Sequence, residues 1–463
     1  MGAGWRKAAT ARGCTNAAVG LTSFDPWDCS PPRSEPIGDH AVPLRSRHLE
    51  GRRIALLVSG GIAALRSPDL ARALRRRGAE VTAFCSDDAL LYVGRQALEW
   101  ATCRPVIRQL SWRAEHLSDS EGFDAWLLAP ATYNTIGKLA AGIADTVVTA
   151  ALASALGRLQ QGQTKVLLAP TMHGSLHNAI LERNCRSLAA MGVELVPPRD
   201  AYGKHNLPEA ELLAARVCRA LSESPLRGRR VLVTGGPTPV PIDGVRRIVN
   251  RFSGRLASAI SEELLLRGAS VSLLLGAGSQ PPPAWLPYTP VPDYDAYRRL
   301  VLAAVKEGLD AGVFSAGVAD YRPLRTHPGK IASGETRLSL DLEPTAKVID
   351  LVHAADPGLP IVSFKYMEGM AAEALLEVAR GRLNRSTLVV ANLGEDVWGS
   401  AHAAWLVSRA AEQRLEGKGA IAAGIADHLE CLPSRDDNLR RSGVRPQTAT
   451  HLPSAGPNPA RTG

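Results

Sequence analysis

The sequence has no long apolar run. No stretch approaches the roughly 18 uninterrupted apolar residues that a membrane helix needs, and the amino terminus lacks the charged, apolar and small-residue order of a secretory signal. The seven cysteines are scattered, without a CxxC pair or a Cys/His cluster at zinc spacing, so neither a disulfide framework nor a structural metal is indicated. These absences predict a cytoplasmic protein without a membrane partner.

The positive charge lies mostly at the two ends of the chain. The net charge is +9, but residues 1–47 carry six Arg or Lys against four Asp or Glu, and residues 434–463 carry five against two. The body therefore keeps only +4. Such a small excess is too diffuse for a nucleic-acid-binding stripe and suits anionic phosphorylated ligands, so we expect no nucleic-acid partner.

The ends also differ from the body in composition. Residues 1–48 are rich in Gly, Pro, Ser and Ala without sustained periodicity, and residues 433–463 repeat this pattern. Both segments are predicted to be disordered tails.

The body alternates between apolar runs of strand length and stretches of helical period. In its first part the predicted strands are residues 53–58, 80–85, 125–130 and 165–170. Ser67 and Pro68 suit the N-cap and first turn of a helix that Gly78 ends. Near-continuous apolar strands linked by helices predict a parallel sheet covered on both faces.

The same pattern restarts after residues 222–228. Predicted strands follow at residues 230–236, 270–276, 311–317, 360–366 and 387–393, with a helix near residues 254–268. The sequence therefore predicts an α/β protein with two doubly wound, Rossmann-like domains, residues 49–225 and 226–432, joined near residue 225.

A glycine turn follows the first strand, at Ser59-Gly60-Gly61. Such turns bring backbone N–H groups, free of side chains, to the edge of the sheet where a phosphate can approach. The turn alone does not decide between ligand binding and structure, because a strand-to-helix turn needs glycine in proteins that bind nothing.

Two further motifs favour the ligand-binding interpretation. Residues 59–64 (SGGIAA), 129–140 (APATYNTIGKLA) and 142–145 (GIAD) together resemble the FMN-dependent cysteine decarboxylases, over most of residues 51–222. The resemblance implies a flavodoxin-like FMN domain. Its implied FMN contacts are Ser59, Gly60, Thr132 and Asn134, with Ser86 as a further candidate. A capped helix start at Thr132 and Asn134 is compatible with this role.

The resemblance also implies a catalytic base at His116, which in isolation would be a surface or packing histidine. An imidazole that titrates near neutrality suits removal of a thiol proton while the carbon beside sulfur is oxidised. The resulting thioaldehyde can accept the electrons left behind by carbon dioxide.

Two positions depart from the family. Its substrate-binding P-A-M-N appears as Pro170-Thr171-Met172-His173, which makes Met172 and His173 the candidate substrate contacts. An imidazole can donate a hydrogen bond to a carboxylate as an amide does. The family's flap cysteine is replaced by Tyr202, which cannot form a disulfide-like adduct. Reduction by another route and release of an oxidised product both stay open.

A second group of motifs lies in residues 234–255, from TGGPT through DGVRRIVN to SGR. It resembles the phosphopantothenoylcysteine synthetases, and the resemblance extends over about residues 228–432. Amide formation by way of an acyl nucleotide needs phosphate-cradling glycines, cations for the triphosphate and a polar group for the intermediate. The resemblance implies that Asn250 binds the acyl-nucleotide intermediate and that Arg246 binds the phosphopantothenate. Outside this motif, Asn250 would be interpreted as a turn or cap residue.

The same resemblance implies further substrate contacts. Nucleotide contacts are implied at Ala316, Gly317, Val318 and Asp320, and Lys330 is the catalytic candidate for the triphosphate and the acyl transition state. Phe364 corresponds to a nucleotide-stacking position, although core packing explains it equally well. Two basic positions of the family correspond to Arg380 and to either Arg382 or Arg385.

The combined expectation is an enzyme of coenzyme A biosynthesis. Its ligase half would join 4'-phosphopantothenate to cysteine using CTP with Mg²⁺, and its FMN half would decarboxylate the product to 4'-phosphopantetheine. Three alternatives stay open: a ligase with a flavoprotein scaffold, an oxidative decarboxylase of another cysteine compound, and a regulatory binding subunit. ATP in place of CTP also stays open, and no metal ligand is identified. The resemblance implies a homo-oligomer based on trimers, up to a dodecamer.

Overall fold

The computed structural model describes residues 37–38, 40–117, 122–334, 337–397 and 402–434. The described residues from Val42 onward belong to one compact unit, which contains two large sheets. Most of the two predicted tails, residues 1–36, 39 and 435–463, lies outside the described residues.

The first module comprises the elements between Arg53 and Leu221. Its strands are β1 (Arg53–Val58), β2 (Glu80–Cys85), β3 (Ala125–Ala131), β4 (Lys165–Pro170), β5 (Met172–His173), β6 (Glu194–Leu195), β7 (Arg199–Ala201) and β8 (Lys204–Asn206). Its helices are α1 (Ser67–Arg75), α2 (Arg95–Thr102), α3 (Tyr133–Ala140), α4 (Val147–Gln160), α5 (Ala179–Ala190) and α6 (Ala210–Leu221).

The main sheet of this module is parallel, with strand order β2-β1-β3-β4-β6. Helices cover both faces, so β3 is buried along its whole length, as its apolar sequence predicts. The chain changes direction across the sheet between β1 and β3. In open α/β sheets this switch point, beyond the carboxyl ends of the strands, is where ligands bind.

The second module comprises the elements between Arg230 and Glu430. Its strands are β9 (Arg230–Gly235), β10 (Val240–Pro241), β11 (Arg247–Ile248), β12 (Ser270–Gly276), β13 (Thr289–Val291), β14 (Ala311–Phe314), β15 (Tyr321–Pro323), β16 (Leu342–Pro344), β17 (Ile361–Met367), β18 (Leu388–Leu393), β19 (Ala403–Ser408) and β20 (Glu412–Glu416). Its helices are α7 (Arg255–Leu266), α8 (Tyr294–Lys306), α9 (Val348–Ala355), α10 (Ala372–Gly381) and α11 (Lys418–Glu430).

The main sheet of the second module has the order β13-β12-β9-β14-β17-β18-β19-β20. From β13 to β18 the pairing is parallel in the 3-2-1-4-5-6 order of a Rossmann fold, with its switch point between β9 and β14. The prediction of two doubly wound α/β sheets is thus confirmed. It omitted the antiparallel hairpin of β19 and β20. The outer strand β20 is exposed and charged, as sheet edges commonly are, so it has no apolar signature.

Two local predictions need correction. Ser67 is the first residue of α1 rather than its N-cap, because a 3₁₀ turn precedes the helix, and its hydroxyl donates to the Ala129 carbonyl instead. Residues 42–48, predicted to lie in the disordered tail, belong to the compact unit. The backbone N–H of Arg45 donates to the Arg76 carbonyl, and His48 lies 3.3 Å from Glu263. None of the helices in the described ranges combines the length and the hydropathy needed to cross a bilayer.

The two modules share a contact formed by charged side chains shielded from solvent. Arg77, at the end of α1, has only 3% of its side chain exposed and donates to Glu262 of α7 at 2.8 Å. The Arg219 guanidinium of α6 donates to the Ala269 carbonyl. Leu266 of α7 belongs to the apolar core of the first module. The modules therefore meet through buried polar pairs and shared apolar surface.

We predict that Arg77→Ala lowers the stability of the whole chain by about 3 kcal/mol, because it leaves the carboxylate of Glu262 without its buried partner. Arg104→Ala is the control, since the Arg104 pair with Glu80 is exposed and such pairs contribute about 0–1 kcal/mol. Thermal unfolding of both variants measures the difference. Equal melting temperatures would show that the buried pair contributes nothing.

Candidate functional site

The first candidate site lies at the switch point between β1 and β3. Ser59 follows β1, and its buried hydroxyl donates to the Pro130 carbonyl at 2.7 Å. The same hydroxyl lies 3.4 Å from the Thr132 hydroxyl, at the end of β3. The two residues predicted at this edge from separate motifs thus meet, because parallel neighbouring strands end together.

Gly60 permits the loop after β2 to pack against the loop after β1. A β-carbon at Gly60 would lie 2.4 Å from the β-carbon of Asp88, so no other residue fits without movement of that loop. Ser86 begins the second loop, and its N–H donates to the Val58 carbonyl at 3.1 Å. The structure therefore brings Ser59, Gly60 and Ser86 to the same edge of the sheet.

The amino terminus of α3 borders the same edge. Thr132 caps this helix by accepting from the N–H of Thr135, and Asn134 is exposed in the first turn. The first N–H groups of a helix have no partner within it and attract anions. These hydroxyl groups and N–H groups fit the phosphate of a flavin mononucleotide.

His116 lies on the loop between α2 and β3. Its carbonyl accepts from Ser154 of α4 at 2.8 Å, and its Nδ1 is buried without a hydrogen-bond partner among the described residues. A buried polar atom without a partner costs free energy and points to a missing group. No hydrogen bond within the described ranges joins His116 to Ser59 or Thr132.

His173 is exposed at the end of β5. Its Nδ1 accepts from the N–H of Ser175 at 3.2 Å and lies 2.8 Å from the Ser175 hydroxyl. Because Nδ1 accepts, the proton of the neutral ring lies on Nε2, which leaves Nε2–H as a donor. Met172, by contrast, has its side chain in the core of the module, so only its backbone is near the surface.

Tyr202 and Gly203 form the tip of the hairpin between β7 and β8. Their φ angles are 54° and 67°, which is the geometry of a two-residue type I′ turn. The Tyr202 residue is 93% exposed. The hairpin pairs with β5, and the Gly174 N–H donates to the Gly203 carbonyl at 2.9 Å. The segment that replaces the family's flap is therefore hydrogen-bonded to the predicted substrate segment.

Sequence reasoning missed a chain of titratable side chains behind this hairpin. Nδ1 of His205 lies 2.6 Å from a carboxylate oxygen of Asp200, and its Nε2 lies 3.0 Å from Nδ1 of His177. His177 in turn lies 3.4 Å from Glu182. Isolated polar residues on short strands carry no sequence signal that they will meet, so only the fold reveals this chain.

The second candidate site lies at the switch point between β9 and β14. The Asn250 side-chain amide donates to the carbonyls of Gly317 and Val318, at 3.0 and 3.3 Å. The N–H of Gly317 donates to the Gly236 carbonyl at 2.9 Å, so the loops after β9 and β14 are joined here. A β-carbon at Gly317 would lie 2.3 Å from the Phe252 ring. Asn250, Gly317 and Val318, predicted from two distant motifs, are thus in contact.

Arg246 and Lys330 lie on two adjoining loops of this site. The Arg246 guanidinium donates to Asp243 at 2.7 Å and to the Ile331 carbonyl at 3.2 Å. Lys330, next to Ile331 in the chain, is exposed. The structure therefore brings the two predicted cations to neighbouring positions.

Asp320 lies among three basic residues, of which the sequence pointed only to Arg382. Its carboxylate forms an ion pair with Lys347. Burial lowers the pKa of Lys365 on β17, and the charge of Arg382 lowers it further. Lys347 and Lys365 come from separate segments, so no local motif marks them together with Arg382. The three residues form a cationic surface beside Asp320.

Two residues predicted at the second site have other contacts in the structure. The Arg380 guanidinium already binds three carboxylates, Glu373, Glu377 and Glu412, which argues against a role in binding phosphate. The neighbouring Arg382 donates to the Phe364 carbonyl at 3.5 Å and lies on the side of Lys365. The Phe364 ring packs partly against the apolar core, which favours the packing interpretation of this residue.

The candidate sites contain no preformed metal centre in the part of the chain that the structure describes. No group of three or more His, Cys, Asp or Glu side chains is placed there to hold a metal ion.

Two family descriptions match this chain. Residues 44–221 match the family described as Flavoprotein, and residues 226–431 match the DNA/pantothenate metabolism flavoprotein C-terminal domain. Fold and matches together define a two-module flavoprotein of pantothenate metabolism.

Three curated relatives are similar to much of the chain. The coenzyme A biosynthesis bifunctional protein CoaBC of Thermococcus kodakarensis is 37% identical, over 75% of this chain and 87% of its own length. That of Escherichia coli is 30% identical, over 73% and 85%. A cysteine/cysteine sulfinic acid decarboxylase from an unknown prokaryotic organism is 32% identical, over 57% and 74%. The chain belongs to the family of bifunctional coenzyme A biosynthesis proteins.

We predict that Gly174→Ala releases the hairpin of β7 and β8. A β-carbon at this position would lie 2.5 Å from the Gly203 carbonyl oxygen, so the hairpin must move, at a cost of about 1–3 kcal/mol. Gly157→Ala in α4 is the control, since nothing lies within 4 Å of its β-carbon. Amide hydrogen exchange should quicken in residues 199–206 of the first variant only. Unchanged protection there would contradict the contact.

Proposed function

We propose that the second module joins 4'-phosphopantothenate to cysteine using CTP, and that the first module decarboxylates the product using FMN. The proposal rests chiefly on the hydrogen bonds of Asn250 to Gly317 and Val318. These hydrogen bonds join Asn250, which the resemblance assigns to the acyl nucleotide, to the backbone that the resemblance assigns to nucleotide binding. This contact lies at the switch point, where α/β folds bind such ligands.

In the ligase reaction a carboxylate oxygen of phosphopantothenate attacks the α-phosphorus of CTP, and pyrophosphate leaves. The cysteine amine then attacks the acyl carbon, and CMP leaves with the bonding electron pair. Both steps concentrate negative charge, which Arg246 and Lys330 are suited to stabilise. Lys347, Lys365 and Arg382 would attract the triphosphate. Mg²⁺ would arrive bound to CTP, because the ion usually binds through substrate phosphates.

In the first module Ser59, Thr132 and the N–H groups that begin α3 would hold the FMN phosphate. When bound, FMN supplies the oxidation that makes loss of carbon dioxide easy. His116 would take the thiol proton, and the Nε2–H of His173 would donate to the carboxylate that is lost. The orphaned Nδ1 of His116 and the accepting Nδ1 of His173 support these roles.

One observation favours a second function for the first module. The tip of the hairpin carries Tyr202 instead of a cysteine, and that side chain extends into solvent. Without a thiol to complete the reduction, the module would release the enethiol formed by decarboxylation, and an external electron acceptor would be needed to take the two electrons left on the flavin. The relative described as a cysteine/cysteine sulfinic acid decarboxylase makes a different cysteine compound the alternative substrate.

We further propose that the protein works as a homo-oligomer in the cytoplasm. Ile62, Leu91 and Trp112 expose large apolar side chains on loops of the first module, as surfaces that bind other protein chains do. Cys85, Cys185, Cys218 and Cys431 are free thiols, as is usual in reducing compartments.

Product analysis separates the candidate functions. Incubation with phosphopantothenate, cysteine, CTP and Mg²⁺ should yield 4'-phosphopantetheine by mass spectrometry, because both modules then act in turn. Accumulation of phosphopantothenoylcysteine would show that only the ligase is active. A product lighter than phosphopantetheine by two hydrogens would show that the first module catalyses oxidative decarboxylation. Absence of pyrophosphate release would contradict the ligase.

The Asn250→Ala variant should lose about 100-fold in kcat of the ligase, because the backbone implied to bind the nucleotide loses the two hydrogen bonds that position it. Asn384→Ala is the control, because Asn384 is exposed on the loop after α10. Pyrophosphate release from CTP measures both variants. An Asn250→Ala enzyme as active as the wild type would exclude Asn250 from the site.

A further inference from the structure

Asp243 is a carboxylate that is enclosed by its own loop and by a second one. Its side chain is 0% exposed. One oxygen accepts from the N–H groups of Val245 and Arg246, at 2.8 and 2.6 Å. The other accepts from the Ile331 N–H at 3.0 Å and from the Arg246 guanidinium at 2.7 Å. The carboxylate thus accepts four hydrogen bonds from two loops, which is more than a local turn requires.

The two loops are held together around this carboxylate. The Gly244 N–H donates to the Gly329 carbonyl at 2.7 Å, and the His327 N–H donates to the Ile242 carbonyl at 3.0 Å. A β-carbon at Gly244 would lie 3.1 Å from the Gly329 oxygen, so the loops approach closely. Lys330 lies between Gly329 and Ile331, and both of these residues are hydrogen-bonded to the loop of Asp243. These hydrogen bonds therefore set the position of Lys330 relative to Arg246.

The charge of Asp243 is stable in this setting. Hydrogen bonds from backbone N–H groups outweigh burial and lower the pKa of its carboxyl to about 2. The group is therefore ionised throughout the neutral range. Since it is enclosed, it cannot touch a substrate and can act only through the residues that it holds.

We propose that Asp243 is a positioning residue of the ligase, which fixes Lys330 beside Arg246. This inference rests on the proposed ligase function. Arg246 would hold the carboxylate substrate and Lys330 the triphosphate, so the two reactants meet at the correct distance only while the loops are joined. A displacement of about 1 Å at a reacting pair can cost about 100-fold in rate.

Asp243→Asn is the test variant. An amide offers one accepting oxygen, which can keep the turn formed with Val245 and Arg246, but its NH₂ group would then face both the N–H of Ile331 and the Arg246 guanidinium. Donors repel one another, so the Lys330 loop is released and the guanidinium loses one contact, while the local backbone turn persists. Asp293→Asn is the matched control, because Asp293 caps α8 through one oxygen and asparagine caps equally well.

The first readout is a double-mutant cycle on pyrophosphate release. Asp243→Asn should lower kcat about 100-fold in the wild-type background, with a change in KM for CTP below about threefold. In the Lys330→Ala background the same change should cost about tenfold less, because the lysine that it positions is absent and only the contact with the Arg246 guanidinium is left to lose. Equal losses in both backgrounds, or full activity of Asp243→Asn, would overturn the proposal. Asp293→Asn should match the wild type.

The second readout does not need activity. Hydrogen exchange of the Ile331 amide should quicken in Asp243→Asn, while the amides of Val245 and Arg246 keep their protection. If Ile331 stays protected, the carboxylate does not hold the Lys330 loop, and the proposal is overturned whatever the enzyme does. If the wild type releases no pyrophosphate while Ile331 exchanges as expected, the positioning stands and the proposed ligase reaction fails.

Discussion

Parallel pairing of β9 with β14, and of β1 with β3, is the constraint on which both candidate sites depend. Neighbouring parallel strands end at one edge, so residues far apart in sequence meet there without any local signal. Asn250 reaches the carbonyls of Gly317 and Val318 because the loops after β9 and β14 leave the sheet side by side. Ser59 reaches Thr132 for the same reason in the first module.

Much of this organisation could be predicted from sequence. Apolar runs such as residues 125–130 and 270–276 marked the strands of both sheets, and glycine turns marked the edges that carry the sites. The hairpin of β19 and β20 could not be found this way, because β20 is an exposed edge strand without an apolar pattern. The ion pair of Arg380 with Glu412 was equally hidden, since these two residues lie 32 positions apart in sequence.

The two sites use polar side chains in different ways. In the second module a buried carboxylate and an amide hold backbone loops, while Arg246 is half-buried and Lys330 is exposed. In the first module the imidazole of His205 lies in the hairpin and those of His173 and His177 lie beside it, and their hydrogen bonds depend on which nitrogen carries the proton. A permanently charged carboxylate therefore holds the candidate site of the second module together, whereas histidines lie in and beside the hairpin of the first module.

The contact between the modules bears on how such a chain can be divided. Arg77 has its partner Glu262 across the boundary, and Leu266 completes the core of the first module. A polypeptide cut near residue 225 would leave Arg77 with only its longer ion pair, to Glu211 at 3.5 Å, on one fragment and would expose Leu266 on the other. Dividing the chain into two independent proteins would thus require compensating substitutions after α1 and on α7. The contact between the modules therefore favours keeping both in one chain.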